Sequence, residues 1–232
     1  MAQITQIIPT YNMKDTVCRT IDCCLNQTVK APIIVIDDGS TDGTFDFLSG
    51  RYHNEFLLKR IGNKGLSGAM NFAMDFVDTP YFVFTGADDV VYPDNIENWM
   101  KHYDEFADVN YSHIGIKPIM PEKILPNIKE SVKDVSKIEH CHQFYTKDGR
   151  HIIDGLNCLC LKTSMVKEHK FDENLRHKEG GELLIRLALL GYEFKFFDFV
   201  GGKRDRFCKS IDIPANKRAI EYIKKKYAAG LS

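Results

Sequence analysis

The fold is decided by residues 32–42, which read Pro-Ile-Ile-Val-Ile-Asp-Asp-Gly-Ser-Thr-Asp. The first five form an unbroken apolar run, which is typical of a strand buried on both faces of a parallel sheet. The polar residues that follow predict a tight turn, in which Ser40, Thr41 or Asp42 caps the next helix. A buried strand followed by a turn and a helix indicates an α/β unit.

The same alternation extends to both sides of this stretch. Further short strands are predicted at residues 4–8, 55–60 and 81–85. Helices are predicted at residues 15–27, in the second half of 63–74 and after Asp94. This alternation predicts an α/β fold with a mostly parallel sheet. Polar clusters follow the strands directly, where such sheets bind ligands, at residues 9–12, 37–42 and 86–89.

The alternation fails after about residue 113. Residues 117–150 are rich in Pro, Lys and Glu and predict a long excursion from the sheet. Regular structure is predicted again as strands at 152–161 and 193–199, and as helices at 179–190 and 216–228. The second half is therefore expected to be less regular than the first.

Composition predicts an ordinary globular protein. The chain has 232 residues, 31 Lys and Arg against 32 Asp and Glu, and 44% apolar residues. This balance argues against a protein that coats nucleic acid with its whole surface. No apolar run reaches the roughly 20 residues that span a bilayer, and the N-terminus lacks the basic and apolar regions of a signal peptide. Seven scattered cysteines fit a reducing compartment, so a cytoplasmic location is predicted.

Two adjacent carboxylates, Asp88 and Asp89, follow the predicted strand at residues 81–85. They can offer hard oxygen ligands to Mn²⁺ or Mg²⁺, which in turn bridges phosphate oxygens. Taken alone, the pair could equally be a solvated turn before Pro93.

Four motifs together resemble glycosyltransferase family 2, which has the GT-A fold. They are Ile-Pro-Thr-Tyr-Asn at 8–12, Val-Ile-Asp-Asp-Gly-Ser-Thr-Asp at 35–42, the Gly-rich stretch at 63–71 and Gly-Ala-Asp-Asp at 86–89. Residues 155–161, 171–175 and 179–187 resemble the acceptor half of that family. The resemblance covers about residues 4–200.

This resemblance implies a single Rossmann-like sheet flanked by helices, with residues 1–112 binding a nucleotide sugar and 113–232 forming a small acceptor half. The implied reaction is the metal-dependent, inverting transfer of a hexosyl or pentosyl group from a nucleoside diphosphate sugar to an acceptor hydroxyl. Mn²⁺ or Mg²⁺ is the implied cofactor. A UDP-sugar is favoured because a carboxylate suits the imide N–H of uracil.

The resemblance also implies roles for individual residues. Thr10 and Tyr11 would frame the nucleobase, and Asp38 would accept a hydrogen bond from it. Asp88 would contact the ribose and the metal, and Asp89 the metal and the diphosphate. The full predicted nucleotide-sugar site comprises Pro9, Thr10, Tyr11, Asp38, Asn63, Lys64, Gly68, Asp88, Lys203 and Arg204.

Two positions depart from the family pattern. Gly86 stands where the family often has an Asp, which weakens the expected ribose contact. Gly180 stands where the family has its general base, and glycine cannot accept a proton. Glu179 is therefore the predicted base, with Glu182 and Asp154 as substitutes. The alternative is that Glu179 only stabilises the helix dipole.

The C-terminal part is basic. Residues 203–226 hold nine basic and three acidic residues, and Ile220, Ile223 and Tyr227 form an apolar stripe opposite the lysines. This is either a solvated helix face or a surface for a polyanion such as nucleic acid or an anionic membrane. Separately, Lys203 and Arg204 could close over the donor and neutralise its diphosphate.

The acceptor stays open at this stage. A soluble saccharide, a lipid-linked saccharide reached by a peripheral protein, a protein and hydroxymethylated DNA are all compatible with the sequence. A nucleotide-sugar-binding protein without transfer activity is a second hypothesis, motivated by Gly180. A nucleotidyltransferase is a third, but residues 9–12 are not the Gly-rich basic loop that such enzymes need.

Overall fold

The structure is a computed structural model that describes residues 2–114, 159–203 and 213–228. The predicted excursion at 117–150, the candidate base Asp154 and the candidate donor residue Arg204 lie outside the described residues.

Eight strands of the described residues form one sheet. They are β1 (Ile4–Thr10), β2 (Ile33–Asp37), β3 (Leu57–Arg60), β4 (Tyr81–Phe84), β5 (Val90–Val91), β6 (Val109–Ile114), β7 (Leu159–Lys162) and β8 (Phe194–Lys203). Their order is β3-β2-β1-β4-β7-β6-β8-β5. The first four are parallel, as the sequence predicts. Beyond them the sheet is mixed, because β7 is antiparallel to both β4 and β6, and β5 is antiparallel to β8.

Seven α-helices in the described residues flank the sheet. They are α1 (Lys14–Leu25), α2 (Thr44–Arg51), α3 (Gly65–Ala73), α4 (Asn95–Lys101), α5 (Thr163–His169), α6 (Glu179–Leu189) and α7 (Ile213–Tyr227). Among the described helices, none is long and apolar enough to cross a membrane. Cys18, Cys23, Cys24 and Cys160 are free thiols.

The core explains why the predictions of the parallel strands succeed, whereas residues 152–158 of the strand predicted at 152–161 lie outside the described residues. Every residue of β2 is buried, as expected for a central parallel strand. Helix α1 buries Val17, Ile21 and Cys24, which recur at helical spacing, against β1 and β2. A larger cluster on the sheet includes the buried faces of α3, α5, α6 and α7.

Some local predictions are wrong. Helix α2 begins after Gly43, whose φ of 84° is left-handed, so none of the three proposed residues is its N-cap. Asp42 still supports this end of the helix, because its Oδ1 accepts a hydrogen bond from the Thr44 amide at 3.0 Å. Helix α4 begins after Asp94, as predicted; it ends at Lys101 and is followed by a 3₁₀ turn at Tyr103–Glu105.

The parallel arrangement brings the three polar loops to one edge of the sheet. β1 lies between β2 and β4, so the carboxyl ends of these three strands are neighbours. Main-chain hydrogen bonds continue past the strands, from the Asp38 amide to the Thr10 carbonyl and from the Thr85 amide to the Ile7 carbonyl, both at 2.9 Å. This edge carries the candidate site.

Candidate functional site

The loop that carries Asp88 and Asp89 is a tight turn directly after β4. The Asp89 amide donates to the Gly86 carbonyl at 3.0 Å, and the Gly86 amide donates to Asp89 Oδ2 at 3.2 Å. Gly86, the departure from the family pattern, therefore contributes its main chain to the turn. Asp89 is only 3% exposed, so its carboxylate lies at the base of the site.

Helix α1 holds this loop from the side. Arg19 Nη2 donates to the Asp88 carbonyl at 3.0 Å, and the buried Thr20 hydroxyl donates to the Asp89 carbonyl at 2.7 Å. Two residues beyond the end of α1, Gln27 Nε2 donates to the Tyr92 carbonyl at 2.8 Å. These three contacts use main-chain oxygens, so they fix the path of the loop and not its carboxylates.

Strand β8 closes the other side of the loop. Strand β5 begins directly after Asp89 and pairs with the end of β8, with Val90 opposite Lys203 and Val91 opposite Gly202. A Cβ at Gly202 would lie 2.5 Å from the Val90 carbonyl oxygen, so glycine is required for this close approach. The structure therefore brings Lys203 next to the acidic loop.

Asp38 binds the start of helix α3. Its Oδ1 accepts a hydrogen bond from the Lys64 amide and its Oδ2 one from the Gly65 amide, each at 2.7 Å. Burial raises the pKa of Asp38, while these two amides and Arg176 act in the opposite direction. A carboxylate oxygen has two lone pairs, so each can still accept a further donor from a ligand.

Glycines shape the loop at residues 61–65. A Cβ at Gly39, whose φ is +76°, would lie 2.9 Å from the Asn63 amide nitrogen. A Cβ at Gly68 would lie 2.3 Å from the Lys64 Cβ. Gly68 therefore makes room for the Lys64 side chain on α3, which is an indirect contribution to the site.

Residues 9–12 lie against the Asp38 loop. The Asn12 amide donates to Ser40 Oγ at 2.9 Å, and Asn12 Oδ1 accepts from the Thr41 amide at 2.8 Å. Thr10 is buried at the end of β1, whereas the Tyr11 ring is 43% exposed. An exposed ring beside a polar loop offers a face on which a planar group can stack.

Arg176 is a residue of the site that the sequence motifs did not indicate. Its Nη1 donates to Asn63 Oδ1 at 3.2 Å, and a Cβ on Gly65 would lie 2.5 Å from the same nitrogen. Burial raises the pKa of both Asp38 and Glu179, and the charge of Arg176 opposes that rise. Arg176 thus contacts the Gly-rich loop from a position three residues before the candidate base. Its place in Arg176-His177-Lys178, directly before Glu179, was the available sequence signal.

Glu179 is the first residue of α6 and is buried. Burial raises its pKa, against the opposing effects of its own amide and of the charges on His177, Arg176 and Lys178. A carboxylate with a raised pKa is better matched to accepting a proton near neutral pH than an ordinary glutamate.

Glu182 has a different environment and does not suit the role of substitute base. It is fully buried, and it accepts hydrogen bonds from Arg186, Lys226 and Tyr227. Burial alone would raise its pKa, but these donors outweigh it and hold the pKa below the ordinary value. A buried carboxylate committed to two cations and a hydroxyl is a structural ion-pair centre.

The comparisons with known proteins identify the family. A family model described as "Glycosyl transferase family 2" matches residues 5–172, which is more than half of the chain. The chain belongs to glycosyl transferase family 2. This is the family that the sequence motifs predicted.

Two similar proteins come from bacteria. The chain is 26% identical over 160 residues to chondroitin synthase of Pasteurella multocida, covering 65% of this chain and 17% of that protein. It is 34% identical over 115 residues to the Escherichia coli enzyme named UDP-Glc:alpha-D-GlcNAc-diphosphoundecaprenol beta-1,3-glucosyltransferase WfaP, covering 49% and 45%. The chain thus spans less than half of the length of either relative.

Solved structures confirm the GT-A fold. Residues 1–349 of Staphylococcus aureus TarS in complex with UDP-GlcNAc match with a TM-score of 0.67 at 16% identity, covering 95% of this chain and 66% of that one. The mannosyltransferase PcManGT from Pyrobaculum calidifontis in complex with GDP-Man and Mn²⁺ matches with a TM-score of 0.63 at 18% identity, covering 87% and 56%. At these identities the likeness concerns the fold alone.

The metal expected of a family 2 enzyme would have few protein ligands here. Within residues 2–114, 159–203 and 213–228, no three His, Cys, Asp or Glu side chains form a group that could hold a metal ion. Asp88 and Asp89 still fit Mn²⁺ or Mg²⁺, because such ions are commonly held by one or two carboxylates together with substrate phosphates.

Proposed function

We propose that this family 2 protein is a metal-dependent, inverting glycosyltransferase that uses a UDP-sugar. The observation that carries the proposal is the position of Arg176. Its Nη1 donates to Asn63 Oδ1 and lies against Gly65 in the Gly-rich loop, and Arg176 stands three residues before Glu179 in the chain. The candidate donor loops and the candidate base therefore face one region at the carboxyl edge of the sheet.

The environment of Asp38 supports a uracil base. Two main-chain amides hold the carboxylate in place, and its remaining lone pairs can accept the uracil N3–H. The exposed Tyr11 ring lies on the neighbouring loop, where it can cover the base. The E. coli relative is named for a UDP-Glc donor, and the TarS structure contains UDP-GlcNAc, which adds support for UDP.

The acidic loop supports a metal-bound diphosphate. Asp88 and Asp89 would hold Mn²⁺ or Mg²⁺, which would neutralise charge on the leaving diphosphate. Lys203 is paired to Val90 just beyond this loop, so its ammonium group can add to that neutralisation. The Mn²⁺ in the PcManGT complex is in line with this assignment.

Glu179 would act as the general base. The acceptor hydroxyl attacks the anomeric carbon, its proton passes to the Glu179 carboxylate, and the bond from the anomeric carbon to the diphosphate oxygen breaks. One in-line displacement inverts the anomeric configuration. Gly180 and Gly181, which adjoin Glu179 in the first turn of α6, carry no carboxylate, and the other acidic residue of that turn, Glu182, is committed to Arg186 and Lys226.

A saccharide, free or lipid-linked, is the proposed acceptor. The E. coli relative is named for an acceptor carried on diphosphoundecaprenol, which lies in a membrane. The exposed basic residues Lys217 and Arg218 of α7 are suited to an anionic membrane surface, so we infer a cytoplasmic enzyme that can associate peripherally with a membrane. Hydroxymethylated DNA has no support from the relatives described above.

A transfer assay tests the proposal. UDP-sugars are incubated with Mn²⁺ and a panel of mono- and disaccharide and polyprenyl-diphosphate acceptors, and the anomeric configuration of any product is read by NMR. We expect a β-linked product from an α-linked donor, and its loss in Glu179→Gln. Donor binding without transfer to any acceptor, unchanged in Glu179→Gln, would instead support the hypothesis of a binding protein, which the glycine at position 180 motivates.

A further inference from the structure

Helix α7 packs on the helix that carries Glu179. It lies after the last residue matched by the family model, residue 172. Its inner face buries Ala219, Ile223 and Tyr227, which belong to the same core cluster as the buried leucines of α6. The apolar stripe predicted from the sequence is thus an internal contact of the protein.

The contact between α7 and α6 also includes hydrogen bonds from α7 side chains to a carboxylate of α6. Lys226 Nζ donates to Glu182 Oε1 at 2.9 Å and also to Asp172 Oδ2. The Tyr227 hydroxyl donates to the same Glu182 oxygen. Two successive residues of α7 therefore hold a fully buried carboxylate that lies one helical turn from Glu179.

Arg186 completes this network from within α6. Its Nε and Nη2 each donate to a Glu182 oxygen at 3.0 Å, and its Nη2 also donates to the Lys170 carbonyl at 2.7 Å. If Lys226 is lost, Arg186 still compensates the Glu182 charge, and Asp172 loses the Lys226 ammonium but keeps hydrogen bonds from the Asn174 amide and the Tyr222 hydroxyl. A variant at Lys226 is therefore expected to fold.

We infer that Lys226 and Tyr227 are positioning residues that fix α6 and thereby the place of Glu179. Residues three apart on a helix share a face, so a movement of Glu182 is passed to Glu179. A misplacement of about 1 Å can lower a reaction rate by about 100-fold. The inference rests on the proposed function for the catalytic role of Glu179, while the docking of α7 on α6 stands on the contacts alone.

Three variants test this inference in the full chain. Lys226→Met keeps the length of the side chain and removes its charge, and Lys226→Arg restores a donor. Lys225→Met is the matched control, because Lys225 is the exposed neighbour on the same helix. Hydrogen exchange of the α6 amides measures the docking, and turnover with a soluble acceptor and the dissociation constant for UDP measure its consequence.

We expect Lys226→Met to exchange faster in α6 and to lose at least tenfold in turnover, with UDP affinity within twofold of the unaltered chain. Lys226→Arg should recover most of both, and Lys225→Met should change neither. Equal rates of α6 hydrogen exchange in Lys226→Met and Lys225→Met would overturn the role of Lys226 in docking α7 on α6. Faster exchange with equal turnover would overturn the positioning role alone. Absence of transfer by the unaltered chain would refute the proposed function and the positioning of Glu179 with it.

Discussion

Replacement of Gly65 by alanine probes the contact between the Gly-rich loop and Arg176. Gly65 has a φ of +75°, which costs a residue with a Cβ about 1–2 kcal/mol. The added Cβ would lie 2.5 Å from Arg176 Nη1 and 2.9 Å from its Cδ. The guanidinium must therefore move away, and its 3.2 Å hydrogen bond to Asn63 is lost.

The expected loss of nucleotide affinity follows from these contacts. The Gly65 amide also donates to Asp38 Oδ2 at 2.7 Å, so a shift of the loop disturbs the carboxylate proposed to bind the base. A hydrogen bond to a charged group contributes about 1.5 kcal/mol at the low end. We expect Gly65→Ala to bind UDP about tenfold more weakly by calorimetry with Mn²⁺ present.

Gly191→Ala is the matched control. Gly191 has a φ of +89°, but a Cβ there would meet no atom within 4 Å. This variant should lose about 1–2 kcal/mol of stability through backbone strain and keep its UDP affinity. In an Arg176→Ala background, Gly65→Ala should weaken UDP binding less than it does alone. Equal UDP affinity in Gly65→Ala and Gly191→Ala would refute the reasoning.

Three further predictions concern other parts of the site. Glu179→Gln should lower turnover by about 10²–10⁴-fold without changing donor affinity. In the unaltered enzyme, turnover should fall as the pH drops through the pKa of Glu179, which burial raises above the ordinary range for glutamate. The pH–rate profiles of the two proteins check both effects on turnover. Thr20→Val should cost about 1–2 kcal/mol of stability, because the Asp89 carbonyl loses its 2.7 Å donor, and should weaken Mn²⁺ binding in the presence of UDP, as measured by calorimetry. Burial would raise the pKa of Asp172, but Lys226 and other donors lower it to about 2. The ionised carboxylate therefore stabilises the fold above about pH 4, and this stabilisation is lost as the pH falls toward 2. In acid unfolding, Asp172→Asn should lack this loss of roughly 1 kcal/mol in the free energy of unfolding, a figure that allows for solvent screening.

The first half of the fold was predictable because its physical causes are local. Buried parallel strands require unbroken apolar runs, and β2 has one, so its bounds agree with the sequence prediction to within one residue. The polar loops at residues 9–12, 37–42 and 86–89 directly follow strands in the sequence, so their place at strand ends was also predictable. Their convergence at one sheet edge is then a consequence of parallel pairing, since β1 lies between β2 and β4.

Elements whose apolar pattern is broken by buried polar groups were not predicted. Strand β6 reads Val-Asn-Tyr-Ser-His-Ile, and its Asn110 is fully buried with a side chain that donates to the Cys160 carbonyl at 3.2 Å. A polar residue that is satisfied by a distant partner looks like a surface residue in the sequence. For this reason the sheet was not expected to continue at this point.

Site residues that depend on distant contacts were also beyond the sequence. Arg176 meets Asn63 across 113 positions, and Glu182 meets Tyr227 across 45. The sequence spacing predicted that Glu179 and Glu182 lie on one helix, three positions apart. It could not show that one has a raised pKa through burial and that the other is held ionised by an ion-pair network.

The central claim is that the edge formed by residues 9–12, 37–42 and 86–89 binds a metal–UDP complex. Calorimetric titration of UDP with and without Mn²⁺, into the unaltered chain and into Asp89→Asn, tests it most directly. The account predicts binding at least tenfold tighter with Mn²⁺ in the unaltered chain, and no gain from Mn²⁺ in Asp89→Asn. Absence of UDP binding, or an equal gain from Mn²⁺ in both proteins, would contradict it.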